Sequence, residues 1–132
     1  MKYLLDTNVW IWWHSLPEKL SPRTRTILGD PASYEELLLS AISVWEFAKL
    51  VAKGRYEIEM SVDAWVEKSL NTPKLRLAPI TRRIAIRSTT LPGGFHSDPA
   101  DEIIVATARE ENATLLTKDR RIRRYRHARA LW

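Results

Sequence analysis

The sequence contains no cysteine. That excludes a disulfide scaffold, a thiolate metal centre and a cysteine nucleophile, and it fits a cytoplasmic protein. Long apolar runs are also missing. The longest near the start, Val9-Trp10-Ile11-Trp12-Trp13, falls far short of the roughly 20 residues of a membrane-spanning helix. Asp6 and Asn8 interrupt the stretch where a signal peptide would carry its apolar segment. No internal repeat, low-complexity tract or linker divides the chain, so its 132 residues are read as one domain, 1–132. No Ser–His–Asp arrangement stands out either. What is present is ordinary globular composition, 45% apolar and 28% charged, which excludes a wholly disordered chain. Lys and Arg total 21 against 16 Asp and Glu, a net charge of +5, which permits a polyanionic partner.

Strand and helix signals alternate. Tyr3-Leu4-Leu5, Glu36 to Ser40, Leu75-Arg76-Leu77, Thr114 to Thr117 and Ala128 to Trp132 read as strands. Helices are expected over Asn8–His14, from the Ser21-Pro22 start to Leu28, over Ser43–Lys53 before Gly54, and over Ser61–Leu70. Further helices are expected from the Thr81 cap to just before Pro92, over Pro99–Glu111, and over the basic segment from Lys118 to about Tyr125. Such alternation predicts an α/β fold: a three-layer α/β/α sandwich around a mostly parallel sheet of four to five strands.

In a sheet of this kind, sites form beyond the carboxyl ends of the strands. Asp6 ends the first strand, Glu46 follows the second, Asp98 and Asp101 flank a helix start, and Asp119 follows the fourth strand. Acids brought to one edge repel each other, and a divalent cation resolves the repulsion. An oxygen-only cluster suits Mg²⁺ or Mn²⁺ rather than Zn²⁺. Each acid has a structural alternative. Ser43-Val44-Trp45-Glu46 has the form of a capping box. Asp98-Pro99-Ala100-Asp101 is a strong helix start, and Asp6 and Asp119 can each cap the helix that follows them.

The same segments resemble a known family. Asp6-Thr7-Asn8 after a buried strand is similar to the opening of a PIN domain. Ser43 to Lys49 with Gly54-Arg55, His96 to Ala108, and Leu115 to Asp119 resemble that family's later motifs, in order and over essentially the whole chain. The resemblance is to VapC-type toxins, the ribonuclease halves of VapBC toxin–antitoxin systems. It implies an Mg²⁺- or Mn²⁺-dependent endoribonuclease that leaves 5′-phosphate and 3′-hydroxyl ends. The implied catalytic and metal-holding quartet is Asp6, Glu46, Asp101 and Asp119, with Thr7, Asn8, Asp98 and Thr117 in support. A cognate VapB-type antitoxin, a homodimer, and operator DNA bound only through the antitoxin are implied as partners. One position departs from the pattern: Glu102 stands where this subgroup often carries Arg, and an exposed place on its helix is expected for it.

Charge agrees with an RNA substrate. Five of the sixteen acids belong to the candidate site, so the rest of the chain is more basic than the net charge suggests. Lys118, Arg120, Arg121, Arg123 and Arg124 crowd beside Asp119 and are expected to grip the phosphate backbone. Arg126, His127 and Arg129 continue the run, whereas Arg82, Arg83 and Arg87 read as a solvated helix face. Among the six tryptophans, Trp45 and Trp65 are expected in the core. Trp10, Trp12 and Trp13 cannot all face one way, so at least one is exposed or covered by a partner. Two other readings compete. A metal-free PIN-like RNA-binding module is one, although all four acids are intact. Another Mg²⁺-dependent phosphohydrolase on a similar sheet is the second, although Asn8 stands where such enzymes carry an acid.

Overall fold

A computed structural model describes residues 1–132. Five strands, β1 (Lys2–Leu5), β2 (Glu36–Ser40), β3 (Leu75–Ala78), β4 (Thr114–Leu116) and β5 (Ala130–Leu131), form one parallel sheet in the order β3-β2-β1-β4-β5. Seven helices connect them: α1 (Thr7–Ser15), α2 (Pro22–Leu28), α3 (Ala41–Ala52), α4 (Val62–Leu70), α5 (Arg82–Arg87), α6 (Pro99–Glu110) and α7 (Arg120–Arg124). None is long and apolar enough to cross a membrane.

The central strands are apolar without alternation because helices cover both of their faces. Leu37, Leu38 and Leu39 are each wholly buried, yet they belong to two cores. Tyr3, Leu5, Leu37, Leu39 and Leu116 meet Val9 and Trp10 of α1, Phe47 of α3 and Trp65 of α4 on one face. Leu4, Leu38 and Leu115 meet Ile104 and Val105 of α6 and Ile122 of α7 on the other. The expected three-layer sandwich is what forms.

Several boundaries move. Helix α3 starts at Ala41, capped by Ser40, whose hydroxyl accepts from the Ile42 amide. Ser43 therefore lies inside the helix, and the capping box read at Ser43–Glu46 does not form. The helix after Thr81 stops at Arg87, the basic helix keeps only Arg120–Arg124, and the last strand keeps two residues.

The aromatic core corrects one tryptophan. Phe47 stacks on Trp65 at 4.2 Å, and Trp10 packs edge-on against both at 5.6 and 5.1 Å. Residues two apart on a helix face different ways. With Phe47 turned into the core, Trp45 is turned out and is 53% exposed. Trp10 is buried and Trp12 and Trp13 are half-buried, as the crowding of three on one helix requires.

Replacing Phe47 with Ala should cost about 3–5 kcal/mol, the range for emptying a buried aromatic site. Replacing Trp45 with Ala should cost less than about 1 kcal/mol. Chemical denaturation of the two variants beside the parent chain measures both.

Candidate active site

Leu5 pairs with Leu39 on one side and Leu116 on the other. The chain therefore leaves three neighbouring strands at one level of the sheet, and its acids gather there. Asp6 caps α1. Its Oδ1 accepts from the Thr7 amide at 2.8 Å and its Oδ2 from the Thr117 hydroxyl at 2.6 Å. Asp119 caps α7, accepting from the Arg121 amide at 2.8 Å, while its own amide donates to Thr117 Oγ1 at 3.0 Å. Buried Thr117 thus ties the first and last acids together. Asp98 caps α6 by accepting from the Asp101 amide at 2.9 Å. Asp101 Oδ2 accepts from the Ser97 hydroxyl at 2.8 Å.

Glu46 is not a cap. Thr7 donates to its Oε1, and the buried Ser43 hydroxyl lies 2.7 Å from Thr7 Oγ1. Residues of α1 and α3 thereby fix this carboxylate from below.

Asp6, Glu46, Asp98, Asp101 and Asp119 line one cleft of about 730 Å³. Thr7 and Asn8 line it as well, as do Trp12, Trp45, Lys49, Lys53, Arg55 and Lys118. Burial raises the Asp6 carboxyl, against the hydrogen bonds from Thr117 and Thr7, and the charges of Asp119 and Asp98 add to the rise. Burial, followed by repulsion from Asp6, Asp101 and Asp98, pushes Glu46 up to about 7. Burial, followed by repulsion from Asp98, Asp6 and Asp119, pushes Asp101 up to about 6. Glu46 Oε2, Asp101 Oδ1 and Asp119 Oδ2 accept no hydrogen bond within the chain, leaving hard oxygen donors facing the cleft. No three acidic or histidine side chains close on a single point as they stand. Mg²⁺ keeps several of its waters and takes only one or two carboxylates directly, so the donor chemistry fits that ion.

The basic run from Lys118 is spread over more than one face. Lys118 lines the cleft. Arg121 reaches its rim, donating to Ser97 Oγ at 3.3 Å and the His96 carbonyl at 3.4 Å. Arg123 donates to the Lys118 carbonyl and lines a separate groove beside β5. Arg120 and Arg124 are exposed and outside the cleft. The cations that do face the acids, Lys49, Lys53 and Arg55, were not singled out from the sequence. Their spacing held the signal, because Lys49 and Lys53 follow Glu46 by three and seven residues, along one helix face. Arg83 and Arg87 pair with Glu110, the solvated face expected of them. Glu102 is half-buried rather than exposed. His14 is held between the Trp10 carbonyl and Thr72 Oγ1, each at 3.0 Å, and His96 is exposed in its loop.

Comparison with known proteins shows the family. The PIN domain matches residues 3–128. Ribonuclease VapC22 of Mycobacterium tuberculosis is 36% identical over 126 residues, which cover 96% of this chain and 93% of that protein. The chain belongs to the PIN-domain family, as a VapC-type member. Two solved structures share the fold. VapBC2 from Rickettsia felis, bound to a DNA fragment from its promoter, has a TM-score of 0.74 at 18% identity and covers 99% of this chain and 98% of its own. DNA-bound VapBC from Salmonella typhimurium has a TM-score of 0.73 at 19% identity and covers 99% and 97%.

Raised carboxyl pKa values carry a stability consequence. The ordinary values are 4.5 for Glu46 and 3.8 for Asp101, against about 7 and about 6 in the folded chain. The folded state therefore binds more protons than the unfolded one between those limits, and stability falls as pH rises through them. In chelator, the melting temperature should drop from about pH 4 to pH 7 through these two groups. Glu46→Gln should melt higher than the parent at pH 8 and show a shallower decline. Thermal melts across that range check both.

Proposed function

We propose that this chain is a divalent-metal-dependent endoribonuclease, the toxin half of a toxin–antitoxin pair. One observation carries the reading. Five carboxylates from four remote segments share a cleft with Lys49, Lys53, Arg55 and Lys118. Asp6, Glu46, Asp101 and Asp119 would hold Mg²⁺ or Mn²⁺, with Asp98 beside them. When bound, such an ion lowers the pKa of a water and offsets charge developing on a phosphoryl group. Thr117 holds Asp6 and the Asp119 backbone in one arrangement. Thr7 and Ser43 hold Glu46. Ser97, itself contacted by Arg121, holds Asp101. Asn8 stands exposed on the cleft wall beside Asp6. The lysines and arginines attract an RNA backbone. No side-chain nucleophile is needed, and the products carry 5′-phosphate and 3′-hydroxyl ends.

The name of the Mycobacterium tuberculosis relative supports the activity. The assemblies named for the Rickettsia felis and Salmonella typhimurium structures support a VapB-type antitoxin, with operator DNA reached through it. A second copy of the chain completes the proposed assembly. A metal-free RNA-binding module is disfavoured, since half-buried acids that repel one another oppose a polyanion unless a cation intervenes.

Purified protein should cut a cellular RNA pool in Mg²⁺ or Mn²⁺ and not in excess chelator. Asp6→Asn and Asp101→Asn should each lose more than about 100-fold in rate, beyond the 10–100-fold typical of a residue one step removed from a metal. Both should stay folded: Asn serves as well as Asp at the Asp6 cap, and at Asp101 it keeps the shape while removing a repelled, half-buried carboxylate. Cutting that persists in chelator would sink the metal mechanism. Thr117→Val keeps the shape but removes the link between Asp6 and Asp119, and should lower the rate by about 10–100-fold. Single-turnover cleavage assays read all three variants.

A further inference from the structure

We infer that Trp45 is a stacking platform for an unpaired nucleobase next to the cut site, and so a specificity-determining residue of the ribonuclease. The inference rests on the ribonuclease reading and names the substrate feature that the site selects. Trp45 precedes Glu46 on α3 and lines the same cleft as the five acids. It is 53% exposed, whereas Trp10 and Trp65 are buried and Trp12, Trp13 and Trp132 are half-buried. A large aromatic ring left open to water is costly unless something covers it. The surroundings say what kind of group does so. Lys49 Nζ stands over the Trp45 ring, 4.8 Å from its centroid, and Lys53 and Arg55 line the same wall. An apolar peptide face would find three cations around this one exposed ring. A nucleotide matches both features, because its base stacks on an aromatic face and its phosphates seek the cations. A base within a duplex is already stacked and cannot reach the ring without flipping out. Trp45 therefore discriminates in favour of loops and single strands.

The test measures binding in Mg²⁺ on an Asp101→Asn background, where an ion can offset the remaining acids and cutting is slow, using a single-stranded RNA oligonucleotide and a duplex of the same length; this background is the parent for every comparison. Trp45→Ala should weaken single-strand binding by about fivefold or more, the loss expected for one stacked base. It should leave duplex binding and the melting temperature near those of the parent chain. Trp45→Phe should restore most of the affinity. The salt slope should be unchanged in Trp45→Ala but shallower in Lys49→Gln, which removes a phosphate contact. Equal single-strand binding by the parent and Trp45→Ala would overturn the platform while leaving the ribonuclease reading intact. So would a Trp45→Phe variant no better than Trp45→Ala, since an aromatic face would then not be what matters. A parent chain that binds neither RNA would overturn the ribonuclease reading, and the platform with it.

Discussion

The pairing of Leu5 with both Leu39 and Leu116 sets the level at which three strands end. Everything chemical in the molecule follows from that register. Parallel strands send all their carboxyl ends to one edge, and helices on both faces keep the sheet buried. Asp6, Ser40 and Thr117 are the first residues beyond or at that edge. A one-residue slip of β4 would exchange its two faces, moving Leu115 and Leu116 between cores and carrying Thr117 away from Asp6.

The site is built by sharing duties between structure and chemistry. Asp6, Asp98 and Asp119 each cap a helix, and each lines the cleft as well. Capping and metal-holding are compatible because a carboxylate has two oxygens with several lone pairs. The cap fixes one oxygen and thereby aims the other. Beneath them, the hydroxyls of Thr7, Ser43 and Thr117 are all buried and occupy places where an apolar residue would fill the same space. Their value is to hold like charges close together against repulsion.

The strands and the acids were legible in the sequence because each rests on local pattern: apolar runs ended by Asp, and capping signals before helices. What was not legible depends on rotation and on competition between neighbours. Glu46 matches a capping box with Ser43, but Ser40, three residues before Ser43, takes the cap and leaves Glu46 for Thr7. Trp45 looked like core until Phe47 claimed the inward face. The arginines after Asp119 looked like one patch, but a five-residue helix points successive side chains in different directions, and only Lys118 and Arg121 turn toward the acids. The opposing wall of Lys49, Lys53 and Arg55 was visible only as helical spacing after Glu46.

Thr117 donates to Asp6 across 111 positions of sequence. Translation proceeds at about 5–20 residues per second, so roughly 6 to 20 seconds separate the emergence of the two partners. By the later part of that interval the growing chain has Asp6, Glu46 and the wall of Lys49, Lys53 and Arg55, but neither Thr117 nor Asp119. The strand that flanks β1 on its second side, β4, is made after β1, β2 and β3. Until Thr117 and Asp119 have been made, a nascent chain of this topology has neither the link to Asp6 nor the last acid of its cleft.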